Sequence, residues 1–130
     1  MRNHRRWRLI ARIMLKRFRT LIQHPGNPKL LATWKHTYGW TNHCLFCAEA
    51  KRLAHMPLID HKVCGLCPLN GRSADGFGCI GERRKGDVAN MTYNQLVRAL
   101  HDEEPASAVR RAAVRRFKFL LNRLQKRGVL

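Results

Sequence analysis

Apolar side chains near the start of the chain fall at helical spacing. Trp7, Ile10, Met14, Phe18 and Leu21 recur every three or four positions, and Ile13 and Ile22 flank that stripe. Arg2, Arg5, Arg8, Arg12, Lys16 and Arg19 occupy the remaining surface, and Pro25-Gly26-Asn27-Pro28 ends the run, since proline disfavours helix at itself and at its predecessor. The same period returns at the other end in Ala106, Val109, Ala113, Phe117, Leu120 and Leu124. Pro105 suits a first helical turn, where its missing N–H costs nothing, and Gly128 suits a C-terminal cap. Asp102, Glu103 and Glu104 precede this helix, where negative charge suits the positive end of its dipole. Thr92-Tyr93-Asn94-Gln95 has the form of a capping box. The pattern therefore predicts an N-terminal helix within residues 1–23 and a helical hairpin formed by 92–102 and 105–127.

Charge adds a partner to this outline. The 130 residues include 26 Lys and Arg against 8 Asp and Glu, for a formal net charge of +18 and a sequence pI near 11.2. Residues 1–23 and 105–130 each hold eight basic residues and no acid, while the stretch between them is nearly neutral. Arg outnumbers Lys in both ends, and its planar fork suits bidentate contact with phosphate. No glutamates stand at i+4 to neutralise these faces, as they would on an ordinary solvated helix. A polyanion is the expected partner, contacted by Arg5, Arg8, Arg12, Lys16, Arg19, Arg110, Arg111, Arg115, Arg116 and Arg123. A mitochondrial presequence or a peripheral membrane helix also matches an Arg-rich amphipathic start, although the segment lacks the serines of a presequence. The length fits one domain, and a hydrophobic share of 45% is too high for a disordered basic tail. No apolar run approaches the roughly 20 residues of a membrane span, so integral membrane association is excluded.

The cysteines supply the third element. All five lie within 36 positions, as Cys44-Leu45-Phe46-Cys47, Cys64-Gly65-Leu66-Cys67 and a single Cys79. Two residues between cysteines allow a tight turn that aims both thiolates at one ion, and the sixteen residues between the pairs match zinc-ribbon spacing. A short helix over Ala48–Met56 fits in that interval before Pro57 turns the chain. An odd cysteine count argues against a disulfide framework, and no strand pattern precedes either pair to suggest a thioredoxin-like motif. An iron–sulfur cluster also uses four cysteines; Zn2+ is the preferred reading. The expected ligands are Cys44, Cys47, Cys64 and Cys67. Cys79, in a glycine-rich stretch, is the alternative ligand, and His43, His55 and His61 flank the module. The expected fold is mainly α with a small zinc-ribbon-like or zinc-knuckle-like module, short strands only around the cysteine pairs, and long basic amphipathic helices at both ends. Its organisation is one domain: a basic helix over 1–23, a cysteine-rich module over 29–90, and a helical hairpin over 92–128.

The order Trp34, Cys44-x2-Cys47, Cys64-x2-Cys67-Pro68 and Gly78-Cys79 resembles small cysteine-rich proteins of bacteriophages and bacteria that carry a C-x-L-C pair, a C-x-x-C-P pair and a trailing cysteine. The resemblance covers residues 34–81. It departs from the pattern in Phe46, which replaces a leucine, and in a longer loop before Cys79. It implies a metal module and a phage or bacterial origin; the expected location is the cytoplasm of a bacterial host cell. It implies no activity.

Catalytic readings find little support. A His-Asn-His nuclease needs a ββα core on which its histidines and asparagine converge, and no arrangement of Asn42, His43, His55, His61 and Asn70 provides one. Asp60, Asp75, Glu82 and Asp87 are too scattered for a two-metal carboxylate site, and no GxxxxGK[ST] phosphate loop is present. The expectation is therefore a non-enzyme: a zinc-stabilised, basic protein that binds DNA or RNA through backbone phosphates. Trp34, Tyr38, Trp40, Phe46 and Phe77 serve either as its small core or as surfaces on which bases stack. The alternative is an adaptor or inhibitor that docks on a host protein or joins a larger ribonucleoprotein or virion assembly.

Overall fold

The computed structural model describes residues 4–38, 45–55, 66–69 and 88–130. These residues form five helices: α1 (His4–Gln23), α2 (Pro28–Thr37), α3 (Leu45–Ala54), α4 (Val88–His101) and α5 (Ala106–Lys126). The fold is thus mainly α, and no strand occurs among the described residues.

Helix α1 buries Trp7, Ala11, Met14, Leu15, Phe18 and Leu21. The buried stripe is rotated slightly from the one the large side chains suggest. Ala11 and Leu15 turn inward, while Ile13 is exposed. Pro25 is buried at the turn, and the Asn27 side chain then accepts a 3.1 Å hydrogen bond from the Leu30 N–H, which caps α2 with Pro28 in its first turn. All of helix α2 but Pro28 lies inside the range 29–90 expected for the cysteine-rich module. It packs on α4 and delivers Trp34 to the core, so residues 28–37 belong to the helical body.

Helices α4 and α5 form the expected hairpin. Helix α4 starts four residues before the expected cap: Thr92 sits within the helix and its hydroxyl donates to the Val88 carbonyl. That back-bond satisfies the hydroxyl locally and removes any need for it to cap. Helix α4 ends with Glu103 in a left-handed conformation (φ 51°) and with the Glu104 N–H donating to the Ala99 carbonyl. Helix α5 ends the same way at Gly128 (φ 73°). The Gly128 N–H donates to Gln125 and the Val129 N–H to Leu124, which folds the buried Val129 back onto the core.

Helix α5 lies between α4 and α1 and packs extensively on both. Its pairing with α1 is antiparallel. Arg8 Nε donates to the Val129 carbonyl near one end, Phe18 meets Phe117 midway, and Arg110 Nε donates to the Ile22 carbonyl near the other. The two acid-free helices therefore run side by side. An aromatic cluster anchors the assembly: the Phe18 ring lies 4.9 Å from Trp34, edge-on, and Tyr38 bridges to Trp34 and Tyr93 at 5.6 Å each.

Helix α3 attaches to α1 through one stacked pair and one ionic cluster. Trp7 and Phe46 stack with ring centroids 5.7 Å apart. Beside them the buried Glu49 carboxylate accepts from Arg6 at 2.8 Å and from Arg52 Nε at 3.1 Å. The hydrogen bond from Arg52 is the main force holding the Glu49 carboxyl below its ordinary value of 4.5; Arg6 adds to it, and burial opposes both. A carboxyl lowered on folding contributes stability above its unfolded value and loses that contribution as pH falls through the lowered one. Urea unfolding from neutral pH to below 4.5 should show the wild type losing more stability than Glu49→Gln, which keeps only the contributions of the other carboxyls, Glu103 beside Lys35 among them. At neutral pH Glu49→Gln should cost about 1.5–3 kcal/mol, the worth of a hydrogen bond to a charged group.

Candidate nucleic-acid interface and cysteine segment

Five of the expected phosphate contacts share one side of α1. At about 100° per residue, Arg5, Arg8, Arg12, Lys16 and Arg19 fall within about 80° of one another, and all five are exposed. This stripe borders α5, because Arg8 reaches Val129 and the Arg19 guanidinium lies 5.6 Å from the Phe117 ring centre. On α5, Arg110 borders α1, whereas Arg111 and Arg115 line the side facing α4; all three are exposed. Eight of the ten expected cations therefore reach solvent on neighbouring helices. Among the described residues no carboxylate forms an ion pair with any of the eight, because the paired acids are Glu49, with Arg6 and Arg52, and Glu103, with Lys35.

The other two expected contacts have different surroundings. Arg116 is buried at 3% exposure, where it donates to the Thr92 hydroxyl at 3.1 Å and lies over the Tyr93 and Phe119 rings. Its place in the repeat explains this: Arg116 follows Ala112 and Ala113 by four and three residues and precedes Leu120 by four, so it occupies a core position. Arg116 is thus a structural cation and leaves the set of phosphate contacts. Alanines at 112 and 113, too small to fill the interface, are the sequence signal that a long side chain fills the neighbouring position. Arg123 is half-buried, stacked 4.5 Å from the Phe119 ring centre, and donates to the Leu69 carbonyl at 2.9 Å.

That last bond ties the cysteine segment to the basic hairpin. Cys67, Pro68 and Leu69 are buried, and Cys67 and Leu69 join the core. Cys47 is also buried, on α3 beside Phe46 in sequence. Cys44, Cys64 and Cys79, with His43 and His61, lie outside the described residues. Among the described residues no three metal-ligating side chains come together. Cys47 and Cys67 come from different CxxC pairs, and both are buried. His55 is exposed, with φ 54°, at the end of α3.

Two features escaped the sequence pattern. Leu9 and Ile13 are exposed at 56% and 39% on the outer side of α1, one turn apart among its cations. Glu49 is a buried clasp although its flanks read as an ordinary polar helix. No helix among the described residues is long and apolar enough to cross a membrane.

The two environments of arginine separate by mutation. Arg116→Ala should lower stability by about 2–3 kcal/mol through its lost hydrogen bond and cation–π contacts. Arg12→Ala, on the open surface, should change it by less than about 0.5 kcal/mol. Chemical denaturation of the two variants checks both values. No protein-family model, curated protein or solved structure matches this chain.

Proposed function

We propose that the protein is a basic nucleic-acid-binding protein that grips DNA or RNA through backbone phosphates and is stabilised by Zn2+ in its cysteine-rich segment. The observation that carries this reading is the antiparallel packing of two acid-free helices with eight exposed cations and no carboxylate neutralising them among the described residues. Like charges gathered this closely repel one another, and a polyanion that binds across them relieves the repulsion while releasing its own counterions. Such contacts position a backbone without reading bases, so the binding is sequence-tolerant. The protein works as a binder and not as an enzyme, in the cytoplasm of a bacterial cell, and is of phage or bacterial origin. The metal ligands in this reading are Cys44, Cys47, Cys64 and Cys67, with Cys79 as the substitute.

The exposed Leu9 and Ile13 favour a second reading. A phosphate backbone has no use for two aliphatic side chains one turn apart, whereas an acidic protein surface with an apolar spot does. In that reading the protein is an adaptor or inhibitor that docks on a host protein or joins a larger ribonucleoprotein or virion assembly.

A salt titration separates the two. With eight phosphate contacts the logarithm of the affinity should fall against the logarithm of salt concentration with a slope near about −7. Replacing Arg5, Arg12 and Lys16 by alanine should flatten the slope by about three and weaken all sequences alike. Absence of a tight complex on DNA or RNA at about 0.15 M salt, with one stoichiometric protein recovered from nuclease-treated bacterial lysate, would overturn the nucleic-acid reading in favour of the adaptor.

The metal has its own measurement. Elemental analysis should find about one zinc per chain, removable by chelation with loss of folded structure around the cysteines. Cys47→Ser should lose more metal than Cys79→Ser. A protein without zinc, or one with a visible iron–sulfur absorption band, would refute the assignment.

A further inference from the structure

Helices α4 and α5 leave an open cleft of about 350 Å³ between them, near the lower end of the roughly 300–1,000 Å³ typical of small-molecule sites. Three guanidinium groups line it: Arg111 and Arg115, one turn apart on α5, and Arg98 from α4. The Gln95 amide adds hydrogen-bonding capacity on the α4 side, and its Oε1 lies 3.4 Å from an Arg115 guanidinium nitrogen. Ala108 and Ala112 contribute only methyl groups, which is why the space is open. Glu104 lines the same cleft and forms no ion pair among the described residues, so the three arginines are not neutralised there.

These groups describe a ligand. Three arginines and one glutamate give the cleft a net charge of +2. A phosphate monoester carries about −1.5 to −2 at neutral pH, whereas each internal phosphodiester of a nucleic acid carries a single charge. Arginine forks at two sides match the several acceptor oxygens of such a group. A carboxylate beside an anion site would repel inorganic phosphate, but it accepts hydrogen bonds from sugar hydroxyls, the role an acidic residue takes on a bound ribose. The alanine methyls offer an apolar wall to a sugar or base.

We propose that the α4–α5 cleft, through Arg98, Arg111, Arg115 and Glu104, binds the terminal phosphate monoester and sugar of a nucleotide. The nucleotide is either the phosphorylated end of a nucleic-acid strand or a free nucleoside monophosphate. The strand-end form rests on the nucleic-acid reading above. Arg98 lies outside the set of general backbone contacts, so it distinguishes the cleft from the wider basic surface.

The experiment compares binding of the full chain to a short single-stranded oligonucleotide bearing a 5′-phosphate and to the same strand ending in a 5′-hydroxyl, with adenosine monophosphate as competitor. The phosphorylated strand should bind about tenfold more tightly, the worth of one charge-assisted hydrogen bond. Arg98→Ala should abolish that preference while leaving the affinity for the 5′-hydroxyl strand within about twofold, at an unchanged thermal midpoint. Adenosine monophosphate should erase the preference of the wild type. That competition needs no variant, so it stands even if Arg98→Ala folds poorly. Equal affinity for both strands, together with no effect of the nucleotide, would overturn the cleft and leave the general nucleic-acid reading intact. Adenosine monophosphate binding that depends on Arg98, without measurable oligonucleotide binding, would support the cleft for free nucleotides and remove the nucleic-acid reading. Absence of binding to every probe would remove both.

Discussion

The packing of α1 against α5 is the constraint on which the rest of the structure depends. It brings together two acid-free helices with seven basic residues each, and it holds because the attractive and repulsive terms differ in range and size. Two exposed unit charges about 10 Å apart in water repel by about 0.4 kcal/mol, and physiological salt screens them further, over about 8 Å. Each large side chain that α1 buries, among them Trp7, Phe18 and Leu21, is worth about 1.5–3 kcal/mol. Apolar burial therefore outweighs the repulsion, provided that the cations stay on the outer surface. The residual unfavourable field is one that a polyanion, if bound as proposed above, would relieve.

Arginine performs two separate tasks in this molecule. Arg6, Arg116 and Arg123 hold elements together: Arg6 joins α1 to α3 through Glu49, Arg116 fills the α4–α5 interface, and Arg123 pins the Cys67–Leu69 segment to α5. Arg5, Arg12, Arg111 and Arg115 do little for the fold and face solvent. The long guanidinium stem suits both tasks, because it spans an apolar surface while its head makes directional hydrogen bonds. A lysine could serve as an outer cation, but at position 116 it would lose the contacts of the guanidinium with the Tyr93 and Phe119 rings.

The cysteine-rich region is joined to the basic surface at two places. Helix α3, which carries Cys47, leans on α1 through Phe46 and Glu49, and the segment carrying Cys67 is held on α5 by Arg123. Each CxxC pair thus has one cysteine fixed to a different terminal helix. In the zinc-bound form proposed above, the ion would link α1 and α5 through these two anchors, adding to the apolar contact between them.

Periodicity and charge alone determined that the chain is mainly helical, where its first and last helices lie, and that both carry acid-free faces, because helical spacing and the absence of acids are local properties. The sequence also showed the cysteine pairs and their spacing, while Cys44, Cys64 and Cys79 lie outside the described residues. Helix α2 was hidden because its cap, Asn27, sits inside a Pro-Gly-Asn-Pro stretch that reads as a simple terminator. Tertiary structure decided the rest. It set α1 antiparallel to α5, turned Ile13 outward and Leu15 inward, and opened the α4–α5 cleft at Ala108 and Ala112. It also chose between chemically identical arginines, sending Arg116 into the core and Arg115 to the surface. The physical reason is that a helical period fixes relative angles along one helix. Only the position of the neighbouring helices fixes which of those angles is buried.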